Sequence, residues 1–577
     1  MRVVVRHQGE WLFFSHPQKI LQTKNLSEVL PLLREAETSG KFVAGFLAYE
    51  AAPAFDPALQ THPPSETFPL LCLGLFDAPK IKKSLATPPA SFTLDPLIAS
   101  VSKKVFHDKI SHIKSKIAEG ATYQVNYTYR LNSTFDGDAW AFFCQLVDGQ
   151  HAEHAAFLET EDFALCSASP ELFFERSGKH MLARPMKGTA PRGRTLSEDL
   201  ALAEQLRHSE KDRAENIMIV DMIRNDLGRV ARSGSVKVPT RFEIEKYPTV
   251  WQMTSTVEAE TSAGITEIFK ALFPCASITG APKTKTMEII RDLEECPRNI
   301  YTGTIGFFSP QGDASFNVAI RTALINRRTH TLEYGVGGGV VWDSQADLEY
   351  IETQLKARIL TQPHPSFQLL ETILKESDGS LFLLEEHLQR LANSARYFDI
   401  PIDLPSIRQI LEQTQAETAC RLRLLLNRSG KFSIELHPLP KTSSQPVRLC
   451  PASRPIDSKN LFLYHKTTHR SVYETATPQL PNADEILLWN HRKEITETSI
   501  ANIVIRKQGR LLTPPVSSGL LPGTFRAHLL KNGTLQEAVL FFHDLEEADE
   551  IFLINSVRKW RKAKWIGSSN KILSDKK

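Results

Sequence analysis

Lys187 lies in Arg184-Pro185-Met186-Lys187-Gly188-Thr189-Ala190-Pro191-Arg192-Gly193, between a proline and a glycine-threonine turn, at the end of the alternating stretch Glu171 to Leu182. Most lysines are solvated surface charges. An amine held in a pocket is instead a nucleophile, provided that desolvation or nearby positive charge lowers its pKa and frees the lone pair. Glu349, Glu352 and Lys356 recur at i, i+3 and i+7 and share one helix face. Alone, such a trio reads as a solvated face with an ion pair. Asp212 and Glu215 form a second acidic i, i+3 pair. Two acidic faces from distant segments suit Mg²⁺, which takes a few carboxylates and completes its octahedron with water and substrate oxygens. Gly337-Gly338-Gly339 precedes the strand-like Val340-Val341-Trp342 and not a helix. It therefore reads less as a nucleotide loop than as a cradle of N–H groups for a carboxylate. Ile278-Thr279-Gly280-Ala281-Pro282-Lys283, on its own, is a helix entry with Thr279 as cap. Lys466, in Tyr464-His465-Lys466-Thr467-Thr468-His469-Arg470, is a surface lysine by default, and Arg470 by itself is equally well a surface ion-pair partner.

These residues need a scaffold larger than one core. A chain of 577 residues predicts about two to four domains. Hydrophobic content of 41% with 23% charged residues is that of an ordinary globular protein, and a net charge of +3 points to neither nucleic acid nor membrane. The seven cysteines (72, 144, 166, 275, 296, 420 and 450) are scattered and contain no Cys-x-x-Cys pair. That argues against a disulfide framework or zinc site and for a reducing, cytoplasmic setting. The opening Met1-Arg2-Val3-Val4-Val5-Arg6-His7 lacks a signal-peptide core, and no apolar run approaches a membrane span.

Thr361-Gln362-Pro363-His364-Pro365-Ser366 stops a helix near Leu360 and predicts a linker at 361–366, dividing the chain into 1–360 and 367–577. The stretch Ala78 to Pro96 is read as a loop inside the first part, separating an N-terminal subregion of about 1–95 from a core of about 96–360. Ile217, Val220, Ile223 and Leu227 give a helical stripe with Gly228 as its cap. Strands are predicted at Ala164-Leu165-Cys166, Leu172 to Glu175, Val318 to Ile325, Leu422 to Leu426, Glu485 to Trp489 and Ile500 to Ile505, with a hairpin turn at Lys507-Gln508-Gly509.

Pro185-Met186-Lys187-Gly188-Thr189 followed by Ala190-Pro191-Arg192-Gly193, together with Ile278 to Lys283, resembles the signatures of the chorismate-utilising enzymes. Their anthranilate synthases usually carry alanine where Lys187 stands, and their aminodeoxychorismate synthases lysine. The resemblance implies an anthranilate-synthase-like α+β fold of large antiparallel sheets flanked by helices. It makes Lys187 an amine that adds to the chorismate ring and expels the 4-hydroxyl, leaving a covalent intermediate for ammonia to displace at C4. It further implies Glu215 and Glu352 as Mg²⁺ ligands, with Asp212 and Glu349 as outer or water-mediated partners. Arg321, Lys356, Thr279, Gly280 and the glycines 337 to 339 would contact the dicarboxylate. Gln124 occupies a place where isochorismate synthases carry a water-activating lysine, so water is disfavoured as nucleophile. Gln252 stands where anthranilate synthases have histidine, a departure that disfavours pyruvate elimination at this site. No Gly-x-Cys-x-Gly elbow occurs, so a separate glutamine amidotransferase subunit is implied as the ammonia source.

The second part resembles fold-type IV pyridoxal-phosphate enzymes, which have two subdomains and an α/β character. On that resemblance Lys466 is the Schiff-base lysine and Glu497 the acid that pairs with the pyridinium nitrogen. Ser517 to Thr524, with Gly523 and Thr524, would be the phosphate turn, Arg390 the phosphate arginine and Ser556 a further phosphate or substrate contact. Arg470 would bind a substrate carboxylate, and a dimer through this domain is allowed. The usual Gly-Asp-Gly segment is missing before Phe367. Joined, the halves imply chorismate to 4-amino-4-deoxychorismate and then 4-aminobenzoate and pyruvate. Alternatives for the second half are a D- or branched-chain amino-acid transaminase and a non-catalytic assembly module.

Overall fold

The computed structural model describes residues 1–86, 90–150, 152–361, 365–439, 445–478 and 482–567. The chain forms two compact units, Met1–Pro191 with Ala203–His364, and Arg192–Leu202 with Pro365–Lys577. Residues 362–364 of the expected linker lie outside the described residues. The expected continuous span 1–360 is interrupted, because the segment directly after the Lys187 motif belongs with the second unit. There Arg192 pairs with Asp199 at 2.7 Å and lies over the Tyr397 ring at 4.5 Å, and the Tyr397 hydroxyl donates to the Gly193 carbonyl.

In the first unit, period-2 patterning builds two antiparallel sheets, of eleven and ten strands among the described residues. In Phe42–Leu47, Ala44 and Phe46 join a core shared with the other sheet, whereas Val43 and Leu47 face a separate core with helices. Arg2–His7 behaves likewise, Val3 and Val5 pointing between the sheets and Val4 toward the helices of the first sheet. The layers are therefore helices, sheet, sheet, helices, and strands such as Phe42–Leu47, buried on both faces, read as continuous apolar runs.

Several local expectations are corrected. The helix Glu210–Gly228 is capped by Ser209, whose hydroxyl accepts from the Asp212 amide. Its buried stripe is Ile219, Val220, Ile223 and Leu227, while Ile217 is exposed. Gly228 is the last helical residue and Arg229 the cap. The Ala78 to Pro96 stretch contains two short strands, Lys80–Lys82 and Phe92–Leu94, each paired into the first sheet's strands. The expected strand Val318 to Ile325 begins only at Thr322, because the chain turns at Arg321, whose φ is 49°. The Ile500 to Ile505 strand begins at Asn502.

Behind the first unit's cavity lies a buried charge network. Arg298, 1% exposed, donates to both Glu294 oxygens at 3.0 and 2.6 Å, to the Asn126 carbonyl at 2.7 Å and to the Ile278 carbonyl at 3.1 Å. Glu50 accepts the Arg298 and Asn299 amides, and burial pushes its carboxyl up to about 7. Removing one member of such a network strands a buried charge. Arg298→Met is expected to cost about 3–5 kcal/mol of stability, read as a lower urea midpoint at unchanged slope.

The second unit pairs a three-stranded antiparallel sheet, Leu369–Lys375, Cys420–Leu426 and Phe432–Pro438, with a mixed sheet of eight strands among the described residues. Alternate residues Leu422, Leu424 and Leu426 pack on the helices Leu384–Phe398 and Leu404–Gln413. Lys507-Gln508-Gly509 turns the chain between Asn502–Lys507 and Arg510–Thr513, with φ of 52° at Gln508 and 76° at Gly509.

Candidate functional site

Each unit contains a cavity with a buried lysine in its wall, Lys187 in the first and Lys466 in the second. In the first unit the cavity is about 290 Å³. Lys187 is the second residue of the edge strand Met186–Pro191, at the irregularity between Met186 and Thr189 where the strand's register with Val250–Glu260 shifts. Burial lowers the pKa of its amine, partly offset by the carboxylates of Glu171 and Glu215 and reinforced by Lys356. The direction is the one a nucleophilic amine needs.

Glu171 went unnoticed in the sequence as a site residue. It is 4% exposed, lines the cavity and accepts the Ser277 hydroxyl at 2.6 Å. Burial pushes its carboxyl up, against the downward pull of Ser277 and Lys187. A lone acid at the start of an apolar strand carries no periodic signal, so only the fold could reveal its relation to Lys187.

The acidic residues gather as the two helix faces suggested. Asp212, Glu215, Glu349 and Glu352 all line the cavity. Burial raises Glu215 against the pull of Lys187 and Lys211, burial raises Glu349, and Lys356, at 2.7 Å from Glu352, holds Glu352 down. Four carboxylates facing one cavity are the oxygen donors a divalent cation takes. Among the described residues no three acidic, histidine or cysteine groups already converge at metal-binding distance. Water and substrate oxygens would have to complete the shell.

The glycine cradle is corrected in kind. Gly337, Gly338 and Gly339 lie within the strand Thr331–Val340, opposite Thr128, Tyr127 and Asn126. The amides of Thr128 and Asn126 are bonded to Glu294 and to the Thr279 carbonyl, away from this ladder. Gly337 and Gly339 therefore turn their own N–H groups away as well, while Gly338 spends its amide in the sheet. The Gly337 carbonyl accepts from Lys356 at 2.8 Å. Missing side chains matter more: a Cβ on Gly339 would stand 2.8 Å from Gln124 Nε2 and 3.3 Å from Lys187 Nζ, and one on Gly338 3.3 Å from Glu349 Oε2.

Thr279 and Gly280 do not line the cavity, whose wall there is Ser277 and Ile278. Thr279 gives its hydroxyl to the carbonyls of Cys275 and Ala276 and is not the cap of the helix Lys283–Leu293, which Pro282 precedes. Gln124 is fully buried behind Gly339, with both amide atoms lacking a hydrogen-bond partner. Arg321 and Gln252 line the cavity, and Gln252 accepts from Thr189.

In the second unit a cavity of about 180 Å³ is lined by Lys466, Glu497, Arg390, Arg470, Thr524 and Ser556, with Gly523 beside them. Burial, then Arg390, lowers Lys466 to about 8. Glu497 is 3% exposed and accepts from Tyr473 at 2.8 Å, the Leu521 amide at 3.0 Å and Asn502 at 3.1 Å. Burial pushes it up to about 7, leaving it short of a cationic partner. Gly523 is the N-cap residue of the helix Thr524–Lys531, and a Cβ there would meet Asn502 Oδ1 at 2.2 Å. Arg390 makes a two-pronged contact with Glu371 at 2.9 and 2.6 Å. Against the upward push of burial, Arg390 and His387 hold Glu371 down to about 2. The Ser556 hydroxyl donates to the Thr372 carbonyl at 3.4 Å. An acid awaiting a ring nitrogen, a desolvated lysine, and a helix start beside an arginine fit pyridoxal phosphate.

Residues 6–362 match the chorismate binding enzyme family, and residues 368–566 match amino-transferase class IV. The aminodeoxychorismate synthase component 1 of Escherichia coli (strain K12) is 41% identical over 268 residues, 46% of this chain and 58% of that protein. Its counterpart from Bacillus subtilis (strain 168) is 42% identical over 254 residues, 44% of this chain and 54% of that protein. The match thus spans little more than half the length of these relatives. Anthranilate synthase component I from Streptococcus pneumoniae TIGR4 superposes with a TM-score of 0.53 at 22% identity, covering 63% of this chain and 92% of that one, a likeness of fold. Among the described residues no helix is long and apolar enough to cross a membrane.

Proposed function

Because the chain belongs to the chorismate binding enzymes, we propose that it makes 4-aminobenzoate in two steps, one in each unit. The first converts chorismate and ammonia to 4-amino-4-deoxychorismate. The second, in the class IV unit, releases pyruvate from that amine. The observation that carries the reading is the desolvated Lys187 amine, beside Glu171 and in one cavity with four further carboxylates.

In the first unit the lone pair of Lys187 Nζ forms a bond to the ring of chorismate as the bond to the 4-hydroxyl breaks, and the hydroxyl leaves as water with a proton from Glu171, whose raised carboxyl is suited to hold one. The Glu171 carboxylate so formed takes up the proton of the new lysine–carbon ammonium. Ammonia then bonds at C4 and the lysine leaves with its electron pair restored. Glu215 and Glu352 would hold Mg²⁺, with Glu349 and Asp212 around them, and the ion would neutralise the substrate's ring carboxylate. Arg321, Lys356 and the amides of Gly337 and Gly339 supply the remaining positive field. Gln124 and Gln252, neither able to act as a base, leave water unactivated.

In the second unit pyridoxal phosphate, when bound, would withdraw electrons from the carbon bearing the amine. Glu497 would hold its ring nitrogen, and Gly523, Thr524, Arg390 and Ser556 its phosphate. Lys466 then moves the proton whose loss aromatises the ring and expels enolpyruvate. A separate glutamine amidotransferase supplies ammonia, since the chain has no glutaminase elbow, and the seven free cysteines suit a cytoplasmic enzyme.

The test is direct. Purified chain with chorismate, ammonia, Mg²⁺ and pyridoxal phosphate is expected to yield 4-aminobenzoate and pyruvate in equal amounts. Accumulation of 4-amino-4-deoxychorismate without pyruvate would leave the first step and overturn the second.

A further inference from the structure

The cavity around Lys466 holds more positive charge than its cofactor requires. Besides Lys466 and Arg390 it is lined by Arg421, Arg470 and Arg558, against the single carboxylate of Glu497. Arg390 is already neutralised by Glu371. Arg470 donates to the Ser499 carbonyl at 2.5 Å and lies 4.5 Å over the Tyr473 ring. Arg421 and Arg558 make no ion pair or side-chain hydrogen bond among the described residues, and the Nε of Arg421 is buried with its hydrogen-bonding capacity unmet.

Their placement is built. Arg421 sits in the strand Cys420–Leu426, whose alternate leucines pack on helices, so the arginine takes the opposite face. Arg558 ends a turn in which Asn555 Oδ1 accepts the amides of Val557 at 3.1 Å and Arg558 at 2.8 Å. Burial and Arg561 depress the guanidinium of Arg558 against the upward pull of Glu485, and Arg421 adds to the depression. Two like charges side by side, one with an orphaned buried donor, are costly unless an anion joins them.

We propose that Arg421 and Arg558 form a carboxylate subsite in the wall of the Lys466 cavity, binding a ring carboxylate para to the substrate's amine. The proposal rests on the lyase reading of this unit and deepens it. 4-Amino-4-deoxychorismate carries one carboxylate opposite its amine and another on the neighbouring enolpyruvyl arm. Arg470, whose charge acts on Lys466, suits the arm, and Arg421 with Arg558 the ring acid. The geometry of paired guanidinium groups matches a planar carboxylate. Simple amino acids carry no ring carboxylate para to the amine, so the subsite selects against them.

The test uses the full chain loaded with pyridoxal phosphate and the variants Arg421→Gln, Arg558→Gln and the double. Cofactor absorbance is expected to be retained. KM for 4-amino-4-deoxychorismate should rise about 10–100-fold per substitution, with kcat changed less than about threefold. Lysine at either position should restore part of the loss. Calorimetry with 4-aminobenzoate and with aniline is the independent arm, because these probes differ only in the para carboxylate. Wild type is expected to prefer 4-aminobenzoate by at least about 30-fold and the double variant to lose that preference. An unchanged preference in the double variant, or loss of cofactor instead of substrate affinity, overturns the subsite. Absence of pyruvate from wild type would overturn the lyase reading alone, the calorimetric contrast still deciding the subsite.

Discussion

Lys187→Ala is expected to cut 4-amino-4-deoxychorismate formation by about 10³–10⁵-fold, equivalent to about 4–7 kcal/mol of transition-state stabilisation. The loss should fall on kcat and kcat/KM together, since the amine acts in the reaction and the carboxylates and cations that hold chorismate remain. Arginine should not rescue, because a guanidinium stays protonated and has no free lone pair. A stability control separates chemistry from folding. Burial lowers the pKa of Lys187, so the folded chain gains nothing from its charge, and alanine should leave the thermal midpoint unchanged or raised. The pH profile adds a signed check. The carboxylate of Glu171 raises the pKa of Lys187. Glu171→Gln should therefore move the acid limb of kcat/KM to lower pH, as the amine loses its proton more readily. If Glu171 also takes that proton, the plateau should fall as well. Ammonia titrates identically with both enzymes, so the difference between profiles belongs to the protein. Near-normal synthesis by Lys187→Ala would end its role as nucleophile.

Legibility in the sequence followed the range of the signal. Glu349, Glu352 and Lys356 were readable because one helix turn determines their common face, and Asp212 with Glu215 for the same reason. The Lys187 motif is likewise contiguous, and the strand His180–Arg184 ends just before it, Lys187 lying at the start of the next strand, Met186–Pro191. Readings that depend on a partner strand were incomplete. Gly337 to Gly339 read as a cradle of N–H groups, and only the pairing with the strand Gln124–Gly137 decides which of those amides remain open. Thr279 and Gly280 carry a recognisable pattern, yet they stand behind Ile278, held through the Arg298 network and not exposed in the wall. Arg421 and Arg558 had no local mark at all. In Arg421-Leu422-Arg423 the alternation is that of a half-solvated strand, and no rule of spacing tells which arginine faces a cavity. The segment Arg192–Leu202 shows the same limit at the scale of domains, because its membership in the second unit depends on Tyr397 and residues beyond.

Lys466→Ala is expected to remove pyruvate release by a comparable factor, about 10³–10⁵-fold, and to leave 4-amino-4-deoxychorismate formation intact. That internal control is unusual and useful: one substitution should convert a 4-aminobenzoate synthase into an accumulator of its intermediate. Borohydride treatment should fix the cofactor to wild type and not to the variant, read as the mass of the intact chain. The physical basis is the lowered pKa of the amine, about 8, set by burial and then by Arg390. At pH 7 that leaves about one amine in ten neutral, against about one in three thousand for an ordinary lysine. The same shift fixes a stability signature in the cofactor-free protein. Between about 8 and the unfolded value near 10.4 the unfolded chain holds a proton that the folded chain has released, so stability rises with pH across that window. Lys466→Met lacks the group and should lack this rise. A cofactor-free wild type whose stability, relative to Lys466→Met, is flat over the window would mean that Lys466 is solvated. The lyase half would then need another base, and the buried Glu497 would have lost the neighbour that makes it a cofactor anchor.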